Sequence, residues 1–171
     1  MKKYAIFTDG SIFDKFNIGG WAYIVCEHKD KSFIEINKGQ GKIKELYTDN
    51  IFICESEALL NSLIAIKELF KNSSERIKIT FYIDNLSVVR LLKGEKDSSF
   101  NSCVSTWKDI FKLIYSSELK NIFLEYRHVN SHMEKKGLKT AKLKLIDLAV
   151  KEKNEFVDLL AKQASRDTRI K

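Results

Sequence analysis

The order of strand-like and helix-like segments is the feature that most constrains the fold of this 171-residue chain. Three β-patterned runs come first, and two more follow among helical segments: Lys3–Thr8, Trp21–Cys26, Ser32–Asn37, Ile77–Ile83 and Asn121–Val129. Consecutive leading strands predict an antiparallel meander, whereas later alternation with helices predicts parallel additions. We therefore expect an α/β fold with a mixed five-stranded sheet, three antiparallel strands followed by two parallel ones, flanked by helices.

Helical periodicity covers much of the remaining chain. Apolar residues recur at helical spacing over four segments: Cys54–Phe70, Leu86–Leu92, Val104–Tyr115 and Asn154–Ser165. Between these elements, Ile18–Gly20 is interpreted as a turn and Gly94–Asn101 as a polar loop. The segment 38–53 is irregular, with a possible extra strand at Lys42–Leu46.

Composition indicates a globular protein with a basic surface. The hydrophobic fraction is 44% and the charged fraction 31%, which excludes a disordered chain. The net charge of +7 favours a polyanionic partner such as nucleic acid. No stretch approaches about 18 apolar residues, so we expect no membrane contact and a cytoplasmic location. We expect one domain over residues 1–171 and a monomer.

Metal sites built from cysteine are not expected. The three cysteines, Cys26, Cys54 and Cys103, are odd in number and far apart, and the chain has no CxxC pair. This pattern argues against a zinc site or a disulfide framework.

Four acidic residues stand in distinctive settings along the chain. Asp9 and Asp84 end β-patterned runs, and Glu55 and Asp158 lie on helix-patterned stretches. A fold that gathered these four charges would need a counter-charge, for which a divalent cation is the natural choice. Four carboxylates holding two Mg²⁺ ions are suited to cutting a phosphodiester.

These acids lie within motifs that resemble the type 1 ribonuclease H family, across roughly residues 3–165. The matching runs are Thr8-Asp9-Gly10-Ser11, Gly19-Gly20-Trp21-Ala22, Asp84-Asn85, Arg127-His128-Val129-Asn130-Ser131-His132 and Asn154-Glu-Phe-Val-Asp158-Leu-Leu-Ala161. The resemblance implies a ribonuclease H-like fold and an endonuclease that cuts the RNA strand of an RNA–DNA hybrid. It also implies two Mg²⁺ ions, with Mn²⁺ as a substitute.

The resemblance assigns roles to the acids and to one histidine. It implies that Asp9, Glu55 and Asp84 hold one ion, and that Asp9 and Asp158 hold the other. His132 would be the mobile-loop histidine that assists proton transfer or product release.

The metal-binding glutamate has to be chosen between Glu55 and Glu57. Residues two apart on a helix point about 200° apart, so only one of them can face the site. The family spacing places a small residue three after the glutamate and apolar residues at four, five and eight. Counting from Glu55 fits this spacing, with Ala58, Leu59, Leu60 and Leu63, and Glu57 is the alternative.

Substrate contacts are implied at five positions: Gly10, Ser11, Asn50, Asn85 and Asn154. Gly10 would allow a phosphate to approach the backbone closely. Asn50 is the nearest equivalent of a family asparagine pair. The family has Gln where this chain has Leu86, and Asn85 would substitute for it, which leaves substrate preference open.

A basic insert at about Met133–Lys153 departs from the family pattern. It contains seven lysines and three acids, and its Leu143, Ile146, Ala149 and Val150 have helical spacing. It could be a solvated lengthening of the last helix or a basic arm that grips the substrate backbone. We favour the arm, because Lys93–Asn101 is too short to form the basic protrusion of some family members.

Two other functions are consistent with the same sequence. One is a nuclease of the same fold that acts on DNA or structured RNA, which the missing Gln favours. The other is a non-catalytic nucleic-acid-binding module. Its weakness is that a retired metal site has no physical reason to retain four negative charges.

Overall fold

A five-stranded sheet in the order β3-β2-β1-β4-β5 forms the centre of the structure. The computed structural model describes residues 1–13, 16–43, 50–129 and 145–167. The strands are β1 (Lys2–Phe13), β2 (Ile18–Lys29), β3 (Ser32–Ile43), β4 (Ile77–Ile83) and β5 (Ile122–His128). The pairs β1–β2 and β2–β3 are antiparallel, whereas β1–β4 and β4–β5 are parallel. The predicted mixed sheet is confirmed.

Helices cover both faces of this sheet. They are α1 (Ile51–Phe70), α2 (Leu86–Leu92), α3 (Val104–Ile114) and α4 (Leu145–Arg166), with 3₁₀ turns at Ser98–Ser102 and Ser117–Leu119. The α1 helix lies against β1 and β2 and contacts α3, while α4 lies against β1, β2 and β3. In the described ranges, no helix is both long and apolar enough to cross a membrane.

The two faces have separate hydrophobic cores because neighbouring residues of a strand point in opposite directions. On β1, Ile6 belongs to the core under α1 and α3, together with Leu63 and Trp107. The adjacent Phe7 belongs to the core under α4, together with Val157. The sheet is thereby fixed on both sides.

Two boundary predictions near β1 are wrong. β1 continues past Thr8 to Phe13, since its pairing with β2 runs on to the Phe13–Ile18 pair, and Asp9 therefore lies inside the strand. Ile18–Gly20 is part of β2 and not a turn. A Cβ atom at Gly20 would collide with the main chain of α4 at Ala161 and Ser165. The glycine is thus needed for close packing of the helix.

Other element boundaries also differ from the predicted ones. β3 extends to Ile43, and the rest of the possible strand at Lys42–Leu46 lies outside the described residues. α1 begins at Ile51, three residues early, because Asn50 caps it by accepting a hydrogen bond from Phe52 N at 3.0 Å. The loop at Gly94–Asn101 contains the start of a 3₁₀ turn.

The last helix is longer than predicted. α4 begins at Leu145, nine residues before Asn154, so the end of the insert is helical. Ile146, Ala149 and Val150 pack against the core under α4, which explains their helical spacing. Leu143 and the insert up to residue 144 lie outside the described residues.

Candidate active site

Three carboxylates meet where β1, β4 and α1 come together. Oxygen atoms of Asp9, Glu55 and Asp84 all lie within 4.8 Å of one another. Thr8 and Ile83 are paired in the parallel β1–β4 ladder, so the residues that follow them emerge at one place. Asp9 and Glu55 are only 4% and 3% exposed, whereas Asp84 is half-buried.

Gly10 allows the glutamate to reach the strands. A Cβ atom on residue 10 would lie 2.6 Å from the main-chain nitrogen of Glu55, which is closer than a Cβ contact can be. Glycine therefore permits the first turns of α1 to approach β1 closely enough to place Glu55 beside Asp9. The main-chain N–H of Gly10 also donates to Asp9 Oδ1 at 2.8 Å.

Glu57 lies away from this cluster. Its Oε1 accepts a hydrogen bond at 3.0 Å from the Thr106 hydroxyl on α3. Glu55 and Glu57 thus point in different directions from α1, and Glu55 is the one beside Asp9 and Asp84.

The fourth predicted acid, Asp158, lines the same cleft but is not among the three acids whose oxygens converge. Its carboxylate accepts a hydrogen bond from Lys162 Nζ at 2.6 Å, one turn later on α4. Its side chain is 39% exposed, so it is more accessible to solvent than Asp9 or Glu55. Asp158 faces the three-carboxylate cluster and remains near enough to influence its electrostatics.

Burial and mutual repulsion make the cluster hold protons unusually tightly. Burial raises the pKa of Asp9 to about 8, with further contributions from the charges of Asp84 and Asp158. Burial also raises the pKa of Glu55 well above its usual range, and the charges of Asp9 and Asp84 add to this. The pKa of Asp84 is raised as well, mainly by burial. Three such groups cannot all be ionised without a counter-charge.

A divalent cation fits this set of donors. Glu55 Oε2 is buried and finds no hydrogen-bond partner among the described residues, which favours an electropositive group there. Carboxylate oxygens are the ligands that hard cations such as Mg²⁺ and Mn²⁺ prefer. The triad can therefore hold a metal ion.

The cleft around the acids has a volume of about 620 Å³. Its walls include three cationic side chains, Arg127, Lys151 and Lys162, besides Asn154 and His128. Asn154 is 5% exposed, and its Oδ1 has no hydrogen-bond partner in the described part of the chain.

The other predicted substrate contacts have different environments. Gly10 lines the cleft, while Ser11 is buried within β1. The side-chain oxygens of Asn50 and Asn85 cap α1 and α2, since each accepts from a main-chain N–H two residues later, at 3.0 Å. These two oxygens are therefore committed to their helices. His132, the predicted loop histidine, lies outside the described residues.

One contact in the cleft was missed by sequence reasoning. His128 Nε2 lies 2.8 Å from the main-chain oxygen of Asp84. The only signal available in the sequence was the position of His128 at the end of the strand predicted to lie beside that of Asp84. A contact between a side chain and a main-chain oxygen of another strand leaves no local pattern.

Comparison with known sequences identifies the family. No protein-family model matches the chain. Ribonuclease HI of Campylobacter jejuni strain ATCC 700819 is 30% identical over 142 residues, which cover 78% of this chain and 84% of the relative. Ribonuclease H of Campylobacter jejuni strain RM1221 matches to the same extent. This chain belongs to the type 1 ribonuclease H family.

Solved structures share the ribonuclease H fold. RNase H1 of Halobacterium salinarum superposes with a TM-score of 0.64 at 15% identity, covering 95% of this chain and 96% of that one. LC11-RNase H1, in its complex with an RNA/DNA hybrid, has a TM-score of 0.60 at 16% identity, with the same coverage. At such identities the match concerns the fold, so the role of each residue has to be argued from the site itself.

Proposed function

We propose that this protein is a metal-dependent endonuclease that hydrolyses the RNA strand of RNA–DNA hybrids. The observation that carries the proposal is the convergence of Asp9, Glu55 and Asp84, two of them buried, in a cleft of a ribonuclease H fold. The curated relatives are ribonucleases H, and one structural neighbour was solved with an RNA/DNA hybrid. Both support this substrate.

The acids supply the ligands for two Mg²⁺ ions, with Mn²⁺ as a substitute. Asp9, Glu55 and Asp84 would hold one ion, and Asp9 with Asp158 would hold the other. Such ions would supply positive charge for the attack of water and for the departure of the 3′ oxygen. Asp158 has to leave Lys162 in order to contribute, because its carboxylate is paired with that lysine.

Other side chains of the cleft bind and orient the nucleic acid. Arg127, Lys151 and Lys162 line the cleft, each paired with an acid, and are proposed to exchange these partners for backbone phosphates. Gly10, Ser11, Asn50, Asn85 and Asn154 are proposed as substrate contacts, of which Gly10 and Asn154 line the cleft. Contacts to 2′-hydroxyl groups in the wide minor groove would select the RNA strand. His132 is proposed to assist proton transfer or product release.

We also propose that residues 1–171 form one domain with a basic insert at about 133–153, and that the protein is a cytoplasmic monomer. The cysteines support this location. Cys26, Cys54 and Cys103 are free and buried, as thiols of a reducing compartment are.

Cleavage of a labelled RNA–DNA hybrid tests the function. Wild type and Asp9→Asn are compared with Mg²⁺, with Mn²⁺ and with chelator. We expect metal-dependent cutting of the RNA strand, leaving 5′-phosphate and 3′-hydroxyl ends, and its loss in the variant. Tight binding without cutting by the wild type would favour a binding module instead.

A nuclease for DNA or structured RNA is the second candidate. It is favoured by Leu86, which is 45% exposed at the position where the family has Gln. Double-stranded RNA and single-stranded DNA are therefore included as substrates. Cutting of either in preference to the hybrid would establish this alternative.

A further inference from the structure

His128 is the last residue of β5 and lies beside Asp84, in the cleft. The distance from His128 Nε2 to the Asp84 main-chain oxygen is 2.8 Å, a short hydrogen bond for a nitrogen donor. Because a carbonyl oxygen can only accept, Nε2 carries the proton and donates. The contact therefore fixes both the orientation of the ring and its tautomer.

The main chain of Asp84 lies just beyond the end of the β4–β5 ladder. The last ladder bond runs from Val129 N to Ile83 O at 2.8 Å. The next carbonyl, that of Asp84, has the His128 ring as its partner in place of a main-chain N–H. On the other side, Asn85 Oδ1 accepts from Ser87 N and Val88 N and begins α2. Asp84 is thus held between two anchored neighbours.

Asp84 needs this support more than its two partners do. Asp9 is inside β1, where it is paired with Ala22 of β2, and Glu55 is inside α1. Asp84 occupies a bend and is half-buried. Its main chain lies after the last ladder bond of β4 and before α2, so neither a strand nor a helix holds it in place.

We propose that His128 is a positioning residue that keeps Asp84 in place to receive a divalent ion. The inference rests on the proposed function for the identity of the ligand set. Partners of this kind, which hold a metal ligand without touching the ion, typically change metal affinity by about 10-fold or more when removed. The role differs from that proposed for His132, which concerns proton transfer or product release.

Two substitutions of His128 separate hydrogen bonding from bulk. His128→Phe keeps an aromatic ring but removes the donor. His128→Gln places an amide N–H at about the same distance from the main chain. Isothermal calorimetry with Mg²⁺ and Mn²⁺, without nucleic acid, measures the ion affinity of each folded variant. His28→Phe is the matched control, because His28 lies on β2 against Phe33 and outside the cleft.

We expect His128→Phe to weaken ion affinity about 10-fold and His128→Gln to restore most of it. The metal concentration for half-maximal cleavage should rise in parallel, while the KM for hybrid at saturating metal stays unchanged. Unaltered ion affinity in His128→Phe, or a Gln variant as weak as the Phe variant, would overturn the inference.

A measurement on the unmodified protein covers the case in which His128→Phe does not fold. Nitrogen-15 NMR of the imidazole at mildly alkaline pH reports the tautomer. We expect Nε2 to carry the proton, and a proton on Nδ1 would overturn the inference. Failure of the function itself is seen separately, because wild-type protein would then not cleave the labelled hybrid whatever the variants do.

Discussion

The carboxylate cluster has two unlike halves. Asp9 and Glu55 form a buried pair inside a central strand and a long helix, where the main chain leaves them little freedom. Asp84 and Asp158 form an open pair, one on a bend and one on a solvent-accessible helix face. The open pair is held by individual side chains, His128 and Lys162.

The fold itself fixes the positions of the buried carboxylates, whereas single side-chain contacts fix the positions of the open ones. The buried pair is positioned whenever the sheet and α1 are formed, so its geometry is as robust as the core. The open pair can respond to a bound ion or substrate, since breaking one hydrogen bond at an exposed site costs little. Substitutions in the two halves should therefore have effects that differ in size and in kind.

The largest effect is expected from Asp9→Asn. Asp9 is proposed to contact both ions, and its replacement removes a charge that no neighbour can supply. Hybrid cleavage should fall by at least about 10³-fold, measured in single-turnover reactions. The thermal midpoint in chelator serves as the folding control. Retention of a tenth of wild-type activity would show that the buried pair is not the centre of the site.

Glu55→Gln should produce a loss of similar size. Glu57→Gln is the matched control on the same helix, and it should lose little activity or stability, because the Gln amide oxygen can still accept the hydrogen bond from Thr106. Cleavage rates and denaturation midpoints of both variants are compared. The reverse result, with Glu57 essential and Glu55 dispensable, would overturn the assignment of Glu55.

The free energy of unfolding should also depend on pH through the buried pair. Without metal, the folded state holds protons on Asp9 up to a pKa of about 8, whereas an unfolded aspartate releases its proton near pH 4. The folded state binds more protons between these values, so the contribution of Asp9 to stability falls as pH rises from about 4 to about 8.

Urea denaturation in chelator at several pH values measures this dependence. Subtracting the Asp9→Asn curve from that of wild type removes the groups that both proteins share. We expect the difference to favour wild type least at mildly alkaline pH, and added Mg²⁺ to stabilise wild type there. Parallel curves for the two proteins would contradict the raised pKa of Asp9.

The same division separates the features that the sequence predicts from those that it does not. The alternation of strands and helices predicted the sheet, and with it the meeting point of Asp9 and Asp84. Predicted element boundaries were wrong where the boundary depends on contacts between residues that are distant in the sequence. β1 continues to Phe13 through main-chain pairing that needs no apolar run, and Gly20 serves the approach of α4 rather than a turn.

The supporting contacts could not be read from the chain. The hydrogen bond between His128 and Asp84 joins residues 44 apart, and its acceptor is a main-chain oxygen that any residue type would provide. Asn50 and Asn85 are predicted substrate contacts, and their side-chain oxygens also cap α1 and α2. Polar residues just before a helix serve this purpose often, and sequence alone does not separate capping from binding.

Asp158→Asn should have a smaller effect than changes in the buried pair. Asp158 is 39% exposed and already neutralised by Lys162, so its removal disturbs the cluster less. We expect cleavage to fall by about 10- to 100-fold, with a higher metal requirement. Glu152→Gln, an exposed acid on α4, is the control. A loss as complete as that of Asp9→Asn would place Asp158 with the buried pair in importance.

The smallest effect is expected from replacing the lysines of the insert. Replacing all seven with Gln should weaken hybrid binding and flatten its salt dependence, since each lost phosphate contact reduces the slope of log affinity against log salt by about one. Five of the seven lie outside the described residues, while Lys151 lines the cleft.

A pair of equal-charge variants shows whether position or total charge is responsible. Lys151→Gln with Lys153→Gln removes two charges from α4. Lys93→Gln with Lys96→Gln removes two charges after α2, where Glu95 and Asp97 already balance them. Filter binding over a salt series should show a flatter slope for the first pair only, because Lys151 lines the cleft whereas Lys93 and Lys96 do not. Equal slopes would mean that the insert is a solvated extension of α4, and the open half of the site would then depend on His128 and Lys162 without help from a basic arm.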